Sequence, residues 1–228
     1  MKKIKTQDLK QAAFYVLPII AGVSLFCYLL HFFLGVKPSY IEIAAVMANI
    51  LGLTLIRKQN IIGWISFLVC VILLGIFSLM SGVYGGAIMQ FGFFVPSSIY
   101  AFYAWLTKTE KLKSPTALTP KEWMKTAALL TAIFLFIFFV TEHKTPLLHW
   151  CDTLTTSLMI TGQVLIIFKK KEGWLLLIPA NTLSGILFYM VSGYLIMALS
   201  FYNTGNSLIG YIQWRKKKPL TQKGKKLQ

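Results

Sequence analysis

The chain has 228 residues, of which 56% are hydrophobic, 14% aromatic and only 13% charged. A soluble domain of this length is about a quarter charged, so the composition argues against a soluble fold. A formal net charge of +16 at pH 7 would fit a nucleic-acid partner, but the placement of the charges along the chain argues against that too.

Eight apolar blocks succeed one another, at 12–34, 39–56, 61–80, 83–106, 123–141, 147–168, 173–191 and 194–214. A helix that crosses a bilayer needs ~20 mainly apolar residues. The sequence therefore predicts an all-α integral membrane protein with eight transmembrane helices and no extramembrane domain. The first block is too long for a cleavable signal and has no clean small-residue cleavage site, so it reads as a span. With the N-terminus inside, the inner segments hold 21 of the 23 Lys and Arg, and only Lys37 and Lys144 fall outside. That bias places both termini on the cytoplasmic side of the membrane. The basic run at 215–226 is suited to anionic lipid, and no nucleic-acid partner is expected.

Cys27, Cys70 and Cys151 fall within spans at no motif spacing and read as small buried hydrophobes. His31, His143 and His149 are not clustered as metal ligands. There is no nucleophile elbow, no P-loop and no pair of mid-membrane carboxylates, so neither an enzyme nor a metal or organic cofactor is expected.

The chain repeats itself at an offset of 110. Gly52, Gly63, Trp64, Gly75 and Met80 meet Gly162, Gly173, Trp174, Gly185 and Met190, and Glu42 meets Asp152. Both halves run through a Ser-Gly pair (81–82, 192–193) into a last span that ends in a Trp, Trp105 or Trp214. Each repeat holds three spans, and the single span at 123–141 separates them. That count makes the two repeats parallel, related by an axis along the membrane normal, with substrate expected between them near the midplane. The boundaries read as 1–38 for an N-terminal segment and extra helix, 39–107 for the first repeat, 108–146 for the loop and central helix, 147–215 for the second repeat, and 216–228 for a basic tail.

The polar residues inside spans fall into stripes, because positions three and four apart share a helix face. One stripe is Trp174, Leu177, Asn181, Ser184 and Phe188. Its counterpart in the first repeat is apolar in the middle, with Val71 at the place of Asn181. An unpaired amide costs several kcal/mol in hydrocarbon, so Asn181 is expected to face either a substrate cavity or a neighbouring helix that it glues in place. Pro179 frees the Leu175 carbonyl one turn back. Further stripes are Gln90, Phe93, Ser97 and Tyr100, then Asn203, Asn206, Gly210 and Gln213. Gln163 and Thr156 share a face with Asp152, and Asn49 lies below Glu42. Amides suit sugar hydroxyls as donors and acceptors, and aromatic rings suit a flat or cationic heterocycle. The candidate binding set is therefore Asn181, Gln90, Trp174, Leu177, Ser184, Phe188, Tyr100, Phe93, Ser97, Asn203, Asn206, Asn49 and Gln163. No ionisable residue lies deep in a span, which predicts no ion or proton relay. Glu42 and Asp152 complement helix N-termini or form an acidic vestibule.

Three stretches, "CDTLTTSLMITGQ" at 151–163, "KKKEGWLLLIPANTLSGILFYMVSGYLIMAL" at 169–199 and "MQFGFFVPSSIYAFYAW" at 89–105, resemble the PnuC family of nicotinamide riboside transporters. The resemblance covers spans two to eight. It implies a SWEET-like arrangement of three, one and three helices plus an extra N-terminal helix, a homotrimer, facilitated diffusion, and trapping of the solute by a cytoplasmic kinase. Residue by residue it carries over to Gln90, Tyr100, Trp174 and Asn181. Leu177 stands where nicotinamide riboside members usually have Trp, and Ala101 and Phe102 where a Gly and a Trp are usual. Relatives that carry thiamine, riboflavin or deoxyribonucleosides, and a membrane binding subunit that does not transport, are the alternatives.

Overall fold

The computed structural model describes residues 6–80, 84–107, 114–141, 146–190 and 193–216. Ser81, Gly82 and Ser192 of the repeated Ser-Gly pairs, the loop residues 108–113 and 142–145, and the basic tail from residue 217 lie outside them. The described chain is helical: α1 (Thr6–Leu34), α2 (Tyr40–Arg57), α3 (Ile62–Met80), α4 (Tyr84–Met89), a π-helical turn at Gln90–Phe94, α5 (Val95–Thr107), α6 (Pro120–Val140), α7 (Pro146–Ile167), α8 (Glu172–Met190) and α9 (Tyr194–Lys216). Each element falls on one of the apolar blocks, because a backbone in lipid must satisfy its own hydrogen bonds, which a helix does.

Among the described residues, seven helices are long and apolar enough to cross a membrane: Thr6–Leu34, Tyr40–Arg57, Ile62–Met80, Ala87–Thr107, Pro120–Val140, Pro146–Ile167 and Glu172–Met190. The eighth apolar block is helical too, as α9. It has 23 residues but is not among those seven, because Ser200, Asn203, Asn206, Gln213 and Arg215 dilute its apolar character.

Starts and stops of the helices are built from short-range chemistry. The Ser39 hydroxyl accepts from the Glu42 N–H at 3.1 Å and caps α2. Thr119 and Glu122 form a reciprocal capping box on α6, with Pro120 in its first turn. Asp152 lies in the second turn of α7, whereas Glu42 sits in the first turn of α2.

Two compact units divide the chain: Met1–Thr107 with Val191–Leu199, and Lys108–Met190 with Ser200–Gln228. In unit 1, α2 and α3 form a tight hairpin. Its neighbour α1 joins a core of Val23, Leu30, Val46, Leu195 and Leu199. In unit 2, α7 and α8 form the matching hairpin, and α6 lies along α7 with Phe138 packed on His149 and Trp150 at 4.5 and 4.8 Å.

The 110-residue offset is visible in the hairpin turns bond for bond. Asn60 N–H donates to Leu55 O at 2.9 Å, and Lys170 N–H to Leu165 O at 2.8 Å. Gln59 N–H donates to Ile56 O at 2.8 Å, and Lys169 N–H to Ile166 O at 2.9 Å. Gln59 and Lys169 are the two described non-glycine residues with positive φ, 63° and 54°. This is the Schellman ending of a helix with a left-handed residue just beyond it, used twice. The glycines close the hairpins. A methyl group at Gly63 would stand 2.6 Å from Ile56 N and 2.7 Å from Gly52 O; at Gly173 it would stand 2.7 Å from Gly162 O and 2.9 Å from Ile166 N.

Candidate functional site

In the second repeat a row of contacts joins α8 to α9. At one end Trp174 is fully buried, packs edge-to-face on Trp214 at 5.5 Å, and lies so close over Gly210 that a methyl there would meet it at 2.7 Å. At the other end the Ser184 and Ser200 hydroxyls bond at 3.2 Å, and those of Thr182 and Thr204 at 3.3 Å. These contacts fix an antiparallel register that sets Asn203 level with Asn181. Polar glue of the expected kind therefore exists, but Ser184 and Thr182 supply it.

Asn181 does something that neither expectation named. Its side-chain N–H donates to the Leu177 carbonyl of its own helix at 2.7 Å. The amide is buried, and one of its two N–H groups is spent one turn back. Leu177 turns the other way, onto α7, where a methyl at Gly162 would meet its Cδ2 at 2.9 Å. Phe188 is half-buried and Pro179 is exposed.

Asn203 and Asn206 are both buried on α9. Asn206 is only 3% exposed, and neither its amide nitrogen nor its amide oxygen has a partner among the described residues. The same holds for Ser207 Oγ, Trp174 Nε1, and Thr153, Thr155 and Thr161 Oγ1. An unsatisfied buried polar group costs about 1–3 kcal/mol. The second repeat thus carries a set of neutral donors and acceptors without protein partners among the described residues. Gln163 is buried on α7. The α7 threonines lay outside the candidate set although Thr153, Ser157 and Thr161 recur at helical spacing, which was the available signal.

The first repeat is different. Asn49 is buried and donates to Cys70 Sγ at 3.6 Å, inside the α2–α3 hairpin. Phe93 stacks edge-to-face on Phe94 at 5.1 Å. Ser97 and Ser98 hydroxyls both donate to the Phe94 carbonyl, at 3.1 and 2.6 Å. Gln90 is half-buried, and its Oε1 is buried with no partner among the described residues. Tyr100 is 41% exposed.

The expected stripe of Gln90, Phe93, Ser97 and Tyr100 is broken by the π turn. Val95 N–H donates to Gln90 O, five residues back. One extra residue in a helix rotates every later position by about 100°, so Gln90 does not share a face with Ser97 and Tyr100. The repeat shows why. Phe91 packs on Gly75 as Phe201 packs on Gly185. Trp105 packs on Trp64 at 5.5 Å as Trp214 packs on Trp174 at 5.5 Å. Between those pins the first repeat threads 13 residues and the second 12. The π turn absorbs the surplus.

The "Nicotinamide mononucleotide transporter" family model matches residues 39–216. A nicotinamide riboside transporter PnuC of Neisseria mucosa is 27% identical over 195 residues, 78% of this chain and 73% of that one. Another nicotinamide riboside transporter PnuC, from Haemophilus influenzae, is 28% identical over 135 residues, 54% of this chain and 56% of that one. A crystal structure described as the vitamin B3 transporter PnuC superposes with a TM-score of 0.71 at 22% identity, over 90% of each chain. At that identity the likeness is one of fold.

Proposed function

The chain belongs to the PnuC family of membrane transporters, and on that premise we propose that it carries nicotinamide riboside across the bacterial cytoplasmic membrane by uncoupled, facilitated diffusion. The observation that carries the reading is Asn206, buried on α9 with neither end of its amide partnered among the described residues. Ribose hydroxyls and a carboxamide offer the donors and acceptors that such an amide lacks. Asn203 lies one turn before it, level with Asn181, and Trp174 ends the α8–α9 seam with an N–H that has no partner among the described residues. Gln90, Phe93, Ser97 and Tyr100 of the first repeat, with Ser184, Phe188, Leu177, Asn49 and Gln163, make up the rest of the proposed binding set. Ser184 and Leu177 support it mainly by fixing helix packing.

The stripes are neutral, which supports transport without ion coupling, since relays place ionisable groups deep in spans. A cytoplasmic kinase would then trap the solute by phosphorylation. α9 serves as the eighth span, α1 as the extra helix, and α2–α5 and α7–α9 as parallel repeats around α6, in a homotrimer. Both termini face the cytoplasm. Cysteines placed at Lys113 and Lys144, in a background without the native three, should label from opposite sides with an impermeant reagent.

A second reading, another nucleoside-like solute such as thiamine, riboflavin or a deoxyribonucleoside, is favoured by Leu177, an aliphatic side chain turned onto Gly162. Proteoliposomes loaded with no substrate separate the readings. Labelled nicotinamide riboside should equilibrate inside and out, unaffected by an imposed sodium or pH gradient. Accumulation at a fixed ion stoichiometry would contradict uncoupled transport, and binding without entry would contradict transport itself.

A further inference from the structure

The third spans of the two repeats are built to different stiffness. In the second repeat the span is one unbroken helix, α9. Leu195 and Leu199 bury its first turns in a core with Val23, Leu30 and Val46. Hydroxyl bridges join Ser200 to Ser184 and Thr204 to Thr182. In the first repeat the matching span is divided into α4, the π turn and α5. Leu74 and Ile72 stand at the places of Ser184 and Thr182, so neither bridge has a counterpart. Met89, at the place of Leu199, is only half-buried, and Ile88 beside it is 70% exposed.

The backbone is weakest at the division. Val95 N–H is given to Gln90 O, and Pro96 has no N–H. The Phe91 and Gly92 carbonyls therefore both lose the donors that an α-helix would give them. Gly92 adds no side-chain packing, and a methyl there would meet nothing within 4 Å. Helices bend where a π turn or a proline interrupts the ladder. Phe91 packs on Gly75 at this same place, and Trp105 packs on Trp64 at 5.5 Å. Two pins hold the stretch 91–105 to α3, and α4 lies beyond them.

We propose that the π turn is a hinge on which α4 pivots about the Phe91–Gly75 contact, opening and closing the outer end of the first repeat, while the matching turns of α9 stay fixed. A carrier exposes its site to each side in turn, and the arm that moves is the one whose backbone bonds are already interrupted. This hinge rests on the transport reading and the sidedness proposed above.

Deletion of Gly92 tests it, because the deletion gives the first repeat the spacing of the second and leaves both pins in place. In proteoliposomes the variant should equilibrate nicotinamide riboside at least about tenfold more slowly than the wild type, while its affinity by calorimetry stays within about threefold. An unslowed variant overturns the gate, as does a loss of affinity that accounts for the loss of rate. Should the deletion fail to fold, Gly92→Ala is read instead. It stiffens the turn without a clash and should slow equilibration about two- to fivefold at unchanged affinity; an unchanged rate overturns the hinge. A wild type that does not carry nicotinamide riboside contradicts the cargo alone. The hinge is then decided by spin labels, in a background without the native cysteines, at Ile65 and Ile88 across the arm and at Met80 and Tyr103 across α5. The first pair should show two distances that become one on deletion of Gly92 or in Gly92→Ala, and the second pair one distance throughout. A single Ile65–Ile88 distance in the wild type overturns the hinge.

Discussion

The α2–α3 and α7–α8 hairpins share one backbone turn and differ in what latches them and in the polarity of what they carry. Their turns use the same hydrogen bonds, a left-handed residue at the same position and the same glycine contact. Each is then latched by a different neighbour. In unit 1 the latch is α1: the Asn60 amide donates to Asp8 O at 2.9 Å and Gln11 Oε1 at 3.1 Å, and the Lys58 ammonium meets the Tyr15 hydroxyl. In unit 2 it is the segment before α6. Thr116 N–H donates to Lys169 O at 3.0 Å, and Lys171 N–H to Thr116 O at 3.1 Å. Leu118 N–H donates to the buried Glu172 carboxylate at 3.1 Å, and Lys170 pairs with Glu122 at 2.8 Å. The interiors also part. Val71 and Cys70 stand where the second repeat has Asn181 and Ala180. The two hairpins keep what closes them and differ in what lines them, so a shared scaffold would hold the asymmetric site proposed above.

That comparison can be broken at the shared element first. Gly63→Ala and Gly173→Ala each force a methyl against backbone, so each should cost ~3 kcal/mol, the upper range for overpacking. The measurement is the melting temperature of detergent-purified protein, and the two losses should match. A large loss in one repeat and none in the other would deny that the two hairpins share a closing contact.

The latches should separate the units. Asn60 is 2% exposed, and Asn60→Ala removes its bonds to α1, for a cost of about 1–2 kcal/mol. The Glu122–Lys170 pair is half in solvent, with side chains 37% and 18% exposed. Glu122→Gln should therefore cost only ~0.5 kcal/mol, and less as salt is raised. Thermal melts at low and high salt check both. An Asn60→Ala effect smaller than that of Glu122→Gln would show that the α1 latch is not the firmer one.

Much of the architecture was legible because hydropathy reports span length directly. The described part of each apolar block is helical, seven of those helices are long and apolar enough to cross a membrane, and glycines at the 110 offset lie at the hairpin contacts. The π turn was not legible at α spacing, although the sequence held its trace: Trp105 and Trp214 differ by 109, not 110. A stripe drawn through Gln90 and Tyr100 assumes an unbroken helix, and one surplus residue undoes it. Asn181 suggests outward bonding because its residue type demands partners. Sequence cannot say that an amide will turn back to its own carbonyl, since that depends on a side-chain rotamer rather than on spacing. The latches escape a sequence reading as well, because they join side chains to main-chain groups that no motif marks.

The Asn206 amide, without a partner among the described residues, is the centre of the proposed site. Calorimetry of nicotinamide riboside on the wild type and on Asn206→Leu, with melting temperatures alongside, tests that most directly. Leucine is welcome in a membrane helix and removes a buried group with no protein partner among the described residues, so the fold should melt no lower than the wild type. Affinity should fall by about 1–3 kcal/mol, roughly ten- to a hundredfold. Unchanged affinity in a folded Asn206→Leu protein would contradict that role for the amide.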